Sequence, residues 1–176
     1  MAQFDKVYEI AADNYGLITF AEARKAGVTG GELNRFVTDG RLERIGLGVY
    51  KLTKYIPVHN DPYAEAVALV GAGAYLFGES VIAMHGLAPT NPARVTVATP
   101  QRIRKRLPAS IRVVNRKGSD SPTQYEGIPS QSIPDAILAC RSTIMNERLE
   151  DAVRNARRNG LITENEKKYL LRKLRK

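Results

Sequence analysis

Two helix-start signatures stand ten residues apart, Thr19-Phe20-Ala21-Glu22 and Thr29-Gly30-Gly31-Glu32. In each, a threonine hydroxyl can accept the N–H of the residue three further on, and the glutamate there can reach back to the threonine's own N–H. Starts so close together leave room only for one short helix, a tight turn at Gly27 and a second helix. The run Arg41-Leu42-Glu43-Arg44-Ile45-Gly46-Leu47-Gly48-Val49-Tyr50-Lys51-Leu52 follows at once, with the pattern of a short β-hairpin. Helix, turn, helix and hairpin in that order read as a winged helix-turn-helix.

Apolar periodicity supplies the remaining parts. Phe4, Val7, Tyr8, Ala11 and Tyr15 recur at helical spacing and give a supporting first helix that ends near Asn14 and Gly16. The second helix runs from Phe20 to about Ala26 and the third from Gly30 to about Asp39, with Leu33, Phe36 and Val37 as its buried stripe and Gly40 as its stop. The other face of the third helix shows Gly31, Asn34, Arg35 and Thr38. In a helix-turn-helix that face enters the major groove, where Asn pairs with adenine and Arg with guanine or phosphate, so Asn34 and Arg35 are the expected base readers. Gly30 and Gly31 either let the helix N-terminus approach a phosphate or are only a loose first turn. Arg41, Arg44, Lys51 and Lys54 suit phosphate or minor-groove contacts from a wing. Helix–helix–hairpin units also serve as protein-interaction modules. Residues 24–54 hold seven positive and three negative charges, which favours a nucleic acid.

A boundary is expected at Thr53 to Pro62, where Pro57, Asn60, Asp61 and Pro62 interrupt both periodicities. It separates a winged helix at 1–56 from an α+β domain at 61–176 with a helical C-terminus. Tyr63, Ala64, Val67, Ala68 and Val70 suggest a mostly buried helix starting at Asp61, Tyr75-Leu76-Phe77 a short apolar link, and Ser80 to His85 another helix closed by Gly86. Strands are expected at 95–98 and 111–114, with a third near Gln124 to Ile128. The pattern is helical again from Pro134, with Leu149, Ala152, Val153 and Ala156 on one amphipathic stretch and a third capping box at Thr163-Glu164-Asn165-Glu166.

The chain of 176 residues is long enough to bury a core without disulfides or metal. No run approaches the roughly 20 apolar residues of a membrane span, and the N-terminus lacks the pattern of a signal peptide, so a cytoplasmic protein is expected. Its formal charge is +9, and most of the excess lies outside the winged helix: residues 1–60 carry eight positive and seven negative charges, 101–120 seven against one, and 147–176 ten against five. The block with Arg102, Arg104, Lys105, Arg106, Arg112, Arg116 and Lys117 admits three explanations: an extended DNA footprint, a dock for an acidic protein, or a solvated edge.

No catalytic or metal residue is expected, and no cofactor. Ser80 and His85 share one helix without a nucleophile elbow. His59 and His85 do not have zinc-ligand spacing, and Cys140 lies in the apolar run Ala136–Cys140, where a thiol packs as a small hydrophobe. Pro134-Asp135 and Glu166-Lys167-Lys168 carry the letters of a metal-dependent nuclease, but Asp135 opens an apolar helix and Glu166 is placed to cap one, whereas that chemistry needs both carboxylates and a lysine converging on a cation. No Walker loop or dinucleotide fingerprint is present.

Gly16-Leu17-Ile18-Thr19, the hairpin 41–50, Ser80-Val81-Ile82-Ala83-Met84-His85-Gly86-Leu87, Gly127-Ile128-Pro129 and Pro134-Asp135 occur in this order. Together they resemble the AbiEi-type antitoxins of type IV toxin–antitoxin systems, over nearly the whole chain. The resemblance implies a winged helix that represses its own operon by binding operator DNA, and a C-terminal part that counteracts a nucleotidyltransferase-like toxin, with no stable complex required. Carried over by position, Thr29, Gly31, Asn34, Arg35, Arg41 and Arg44 would contact the operator, with Lys51 added from the wing, while Ser80, His85 and Asp135 match structural positions. The near-neutral N-terminal region implies help from 101–117 or 147–176. A stand-alone regulator without a toxin is the alternative.

Overall fold

The computed structural model describes residues 2–118 and 120–175, and the fold is α+β with a helical C-terminus. The three threonine caps form as their spacing predicts. Thr19 Oγ1 accepts from Glu22 N at 3.2 Å while Glu22 Oε2 accepts from Thr19 N at 2.8 Å, and the pairs Thr29/Glu32 and Thr163/Glu166 repeat the arrangement. Each removes orphan donors from a helix start, worth about 1 kcal/mol per cap. They open α2 (Phe20–Lys25), α3 (Gly30–Thr38) and a late helix described below; α1 is Gln3–Ala12.

The chain leaves α1 through Tyr15 and Gly16, both at positive φ, into a strand that the sequence reading took for a lead-in to α2. This β1 (Leu17–Thr19) pairs antiparallel with β3 (Val49–Leu52), which pairs antiparallel with β2 (Leu42–Gly46), giving the order β1-β3-β2. Three residues are too few to show alternation, and their partners are remote in the chain, so no local signal marks them. Val7, Ile18, Leu33, Phe36, Leu42 and Leu52 meet in the core beneath this sheet. Burying each such side chain contributes about 1.5–3 kcal/mol relative to exposure. Helix, strand, helix, helix, strand, strand is the winged helix-turn-helix that the sequence spells out, with one strand added.

The first compact unit continues past the expected boundary to Ala72 and also takes in Ile103–Leu107. It therefore includes α4 (Asp61–Val70), which the sequence reading assigned to the following domain. The reason is an ion cluster and a close approach. Lys51 Nζ on β3 lies 3.1 Å from Asp61 Oδ2 and is also paired with Glu65, and the Leu69 side chain fills the space where a Cβ on Gly46 would stand. Asp61 is 5% exposed and its other oxygen accepts from Val58 N at 3.2 Å.

Lys51→Met would leave two neighbouring carboxylates, one of them buried, without their cation. The expected cost is about 2–3 kcal/mol, below the figure for a fully buried pair because Lys51 and Glu65 are partly solvated. Urea denaturation followed by circular dichroism measures it, and a change under about 0.5 kcal/mol would show that water already screens the cluster. Burial alone would lower the Lys51 pKa, but Glu65 and Asp61 outweigh it and hold the ammonium above the ordinary lysine value. Its contribution is therefore complete below about pH 10.4 and is lost as the pH rises through the higher folded value.

The second unit covers Gly73–Arg102 and the chain from Pro108 onward. Its strands are β4 (Tyr75–Leu76), β5 (Val95–Thr99), β6 (Ile111–Asn115), β7 (Thr123–Tyr125) and β8 (Ile128–Ser130). Among the described residues they form one sheet of order β6-β5-β4-β8-β7, in which β5/β6 and β4/β8 are parallel and the other neighbours antiparallel. Where one strand was expected near Gln124 to Ile128, the chain instead makes a hairpin, because Glu126 and Gly127 both adopt positive φ (50° and 78°) and reverse it in two residues. The helices are α5 (Glu79–Met84), α6 (Ile133–Ala139), α7 (Asn146–Arg158) and α8 (Glu164–Leu174), the last opened by the Thr163 cap. Leu149, Ala152, Val153 and Ala156 are all buried, the stripe their spacing predicts.

Candidate nucleic-acid interface

Gly31, Asn34, Arg35 and Thr38 form one exposed stripe along α3, opposite the buried Leu33 and Phe36. The helix starts where it does because Thr29 spends its hydroxyl on the cap: Oγ1 donates to Glu32 Oε2 at 2.9 Å and accepts from Glu32 N at 3.2 Å. Thr29 thus positions α3 with both its hydroxyl and its backbone N–H, which donates to Glu32 Oε2 at 2.8 Å. Its backbone N–H, then its hydroxyl, hold the Glu32 carboxyl below the usual carboxylate range.

The two glycines of the first turn differ in kind. A Cβ on Gly30 would meet the Phe20 ring at 3.3 Å, so internal packing accounts for it. A Cβ on Gly31 would meet only Thr29 Oγ1 at 3.9 Å, so nothing inside the protein requires glycine there. Phe20 is the joint of the assembly. Its N–H donates to Gly48 O at 2.8 Å, its Cβ lies 3.5 Å from where a Gly48 Cβ would be, and its ring faces Gly30. One residue thereby ties the wing turn to the starts of both helices, a role the sequence reading missed although glycine at 30 and 48 marks it.

Arg41 and Arg44 are exposed on the β2 side, the first with its guanidinium 4.9 Å from the Phe4 ring centroid, the second with Nε 3.4 Å from Gly46 O. Neither they nor Arg35 is in an ion pair among the described residues. Lys51, expected among the DNA contacts, does not join this surface: its ammonium is turned to Asp61 and Glu65 and is neutralised there. The bulge between Arg44 and Gly46 interrupts the alternation of the hairpin, so the sequence does not fix which face each of its residues takes. Arg24 and Lys25, in the last turn of α2, and Leu47, 67% exposed at the wing turn, are further accessible groups that were not singled out.

Elsewhere, Arg102, Arg104, Arg106 and Arg112 are exposed and Lys105 is half-buried. Arg116 is neutralised by Asp120 at 2.9 and 3.0 Å, and Asp120 also accepts from Tyr75 OH at 2.6 Å; burial first, then Asp120, pushes the Tyr75 phenol up to about 12. Part of the C-terminal charge is paired internally, Arg154 with Glu150 and Asp151, Arg157 with Glu164.

The remaining reactive side chains are held in structural contacts. Ser80 Oγ accepts from Thr96 N at 2.7 Å, and the His85 ring packs edge-on to Tyr125 at 4.6 Å, its pKa lowered by burial against the opposing charge of Glu126. Cys140 is buried, which with the nearby Glu79 pushes its thiol up to about 11. Asp135 accepts from Ser132 Oγ at 2.7 Å in the first turn of α6, and Glu166 serves the Thr163 cap, so both lie on helices rather than on adjacent strands. Among the described residues no helix is long and apolar enough to cross a membrane.

Residues 5–53 match the family described as transcriptional regulator, AbiEi antitoxin, so the resemblance read from the sequence is shown over the winged helix. No curated protein matches the chain. A solved structure, that of the RV2827C protein from Mycobacterium tuberculosis, is similar at 18% identity and a TM-score of 0.42, covering 97% of this chain and 81% of that one.

Proposed function

We propose that this chain is a DNA-binding antitoxin that represses its own operon and counteracts a nucleotidyltransferase-like toxin. The observation that carries the DNA-binding half is the α3 stripe, where Asn34 and Arg35 are exposed, side by side and free of ion pairs, on a helix whose start is fixed by the Thr29 cap. Asn and Arg are the two side chains best suited to bidentate pairing with adenine and guanine in the major groove. Arg41 and Arg44, with Arg24 and Lys25 from α2, supply phosphate contacts that set the register. Gly31 leaves room for a phosphate at the α3 N-terminus. The family match at 5–53 supports the antitoxin half.

The test is a titration of the full chain, over a series of salt concentrations, with the duplex upstream of its own gene and a scrambled duplex of equal length. Selective binding to the first that weakens with salt is expected; equal and weak binding to both would make the winged helix a protein-interaction module. Co-expression with the protein of the adjacent reading frame tests the second half. Growth restored by the chain supports the antitoxin reading, and a neighbour without toxicity leaves a stand-alone regulator.

A further inference from the structure

Some of the cations outside the winged helix are neutralised within the protein, as the pairs at Arg116, Arg154 and Arg157 show. Arg104 and Arg106 differ. Among the described residues neither has an ion-pair partner, although the segment that carries them is held in place. Ile103–Leu107 belongs to the first compact unit, the one with α3 and the wing. Within it Ile103, Lys105 and Leu107 are half-buried while Arg104 and Arg106 are exposed, an alternation that separates anchors from free cations.

Lys105 shows what one anchor does. Its Nζ lies 3.4 Å from where a Cβ on Gly71 would be, and Gly71 is the C-cap of α4, a helix with no basic residue in its own last turn. A cation there answers the partial negative charge of the exposed carbonyls. Lys105 therefore has an internal use and its two arginine neighbours have none. Guanidinium groups on a pinned backbone lose less freedom on binding than those on a loose one, and they match phosphate oxygens in a two-point geometry.

We infer that Arg104 and Arg106 form a second phosphate-contact element of the DNA-binding unit, adding affinity without sequence preference. This rests on the DNA-binding reading above. Of the seven cations in the basic block it makes Arg104 and Arg106 phosphate contacts, Lys105 a structural lysine and Arg116 an internally paired arginine, while Arg102, Arg112 and Lys117 belong to the second unit and stand outside this element.

The test uses the full-length double variant R104Q/R106Q and the same two duplexes, with the circular dichroism melt as a check of folding. Each phosphate contact releases about 0.9 counterion, so the slope of log affinity against log salt should flatten by about 1.8, and affinity at 0.15 M salt should fall about 30-fold for both duplexes alike. An unchanged slope in a variant whose parent binds DNA normally overturns the inference and moves these arginines to an acidic protein partner or to solvent. A loss confined to the upstream duplex also overturns it, since that is the mark of a base reader. A parent chain that binds neither duplex overturns the DNA-binding reading itself, and this inference falls with it.

Discussion

Replacing Asn34 and Arg35 together by alanine is expected to lower affinity for the upstream duplex by about 30- to 10⁴-fold, because each bidentate base contact is worth about 1–3 kcal/mol of discrimination. Affinity for the scrambled duplex should change far less. The two side chains sit next to each other on one exposed stripe, so their effects are coupled and the double variant is the cleaner measurement. Its fold should be intact, since neither side chain enters the core. Competition titrations with single-base variants of the bound site show which position loses selectivity in each single variant. Equal loss on both duplexes would reassign Asn34 and Arg35 to phosphate and leave sequence choice to other parts of the chain.

The second large effect concerns stability. Gly16 has φ +73°, and a Cβ placed on it would lie 2.5 to 2.9 Å from the Tyr55 ring and its Cβ. A ring held by its own packing cannot yield as the end of a flexible side chain would. Gly16→Ala combines a left-handed backbone cost of about 1 kcal/mol with a clash of overpacking size, for a total of about 3 kcal/mol. Gly40→Ala is the matched control. Gly40 has φ +71° but nothing within 4 Å of an added Cβ, so about 1 kcal/mol is expected there. Urea denaturation of both variants separates strain from collision; equal losses would show that Tyr55 moves aside freely.

The sequence announced those features whose causes are local. A capping box is contained in four residues, which is why the starts of α2, α3 and α8 and the exposed face of α3 were all readable. What stayed hidden depends on partners far along the chain. β1 is a strand only because β3 lies beside it, and Lys51 is a structural cation only because α4 brings Asp61 and Glu65 to it. The β7–β8 hairpin was missed for a different reason, since its turn places glutamate at a positive-φ position where Asn, Asp or Gly is the usual signal. The basic block was legible as charge but not as roles, because whether a cation is spent internally is decided by tertiary neighbours. Lys105 and Arg116 could not have been told from Arg104 and Arg106 by composition.

The cluster of Lys51 with Asp61 and Glu65 bears on how such a module can be inherited. A recombination event that joined this winged helix to a new C-terminal partner after residue 56 would carry the lysine and strand it from both carboxylates. The same crossover placed after Ala72 would move the charges as a set, together with Leu69 and the Gly46 it covers. Functional chimaeras should therefore share junctions beyond α4, and hybrids cut earlier should need compensating changes at 51.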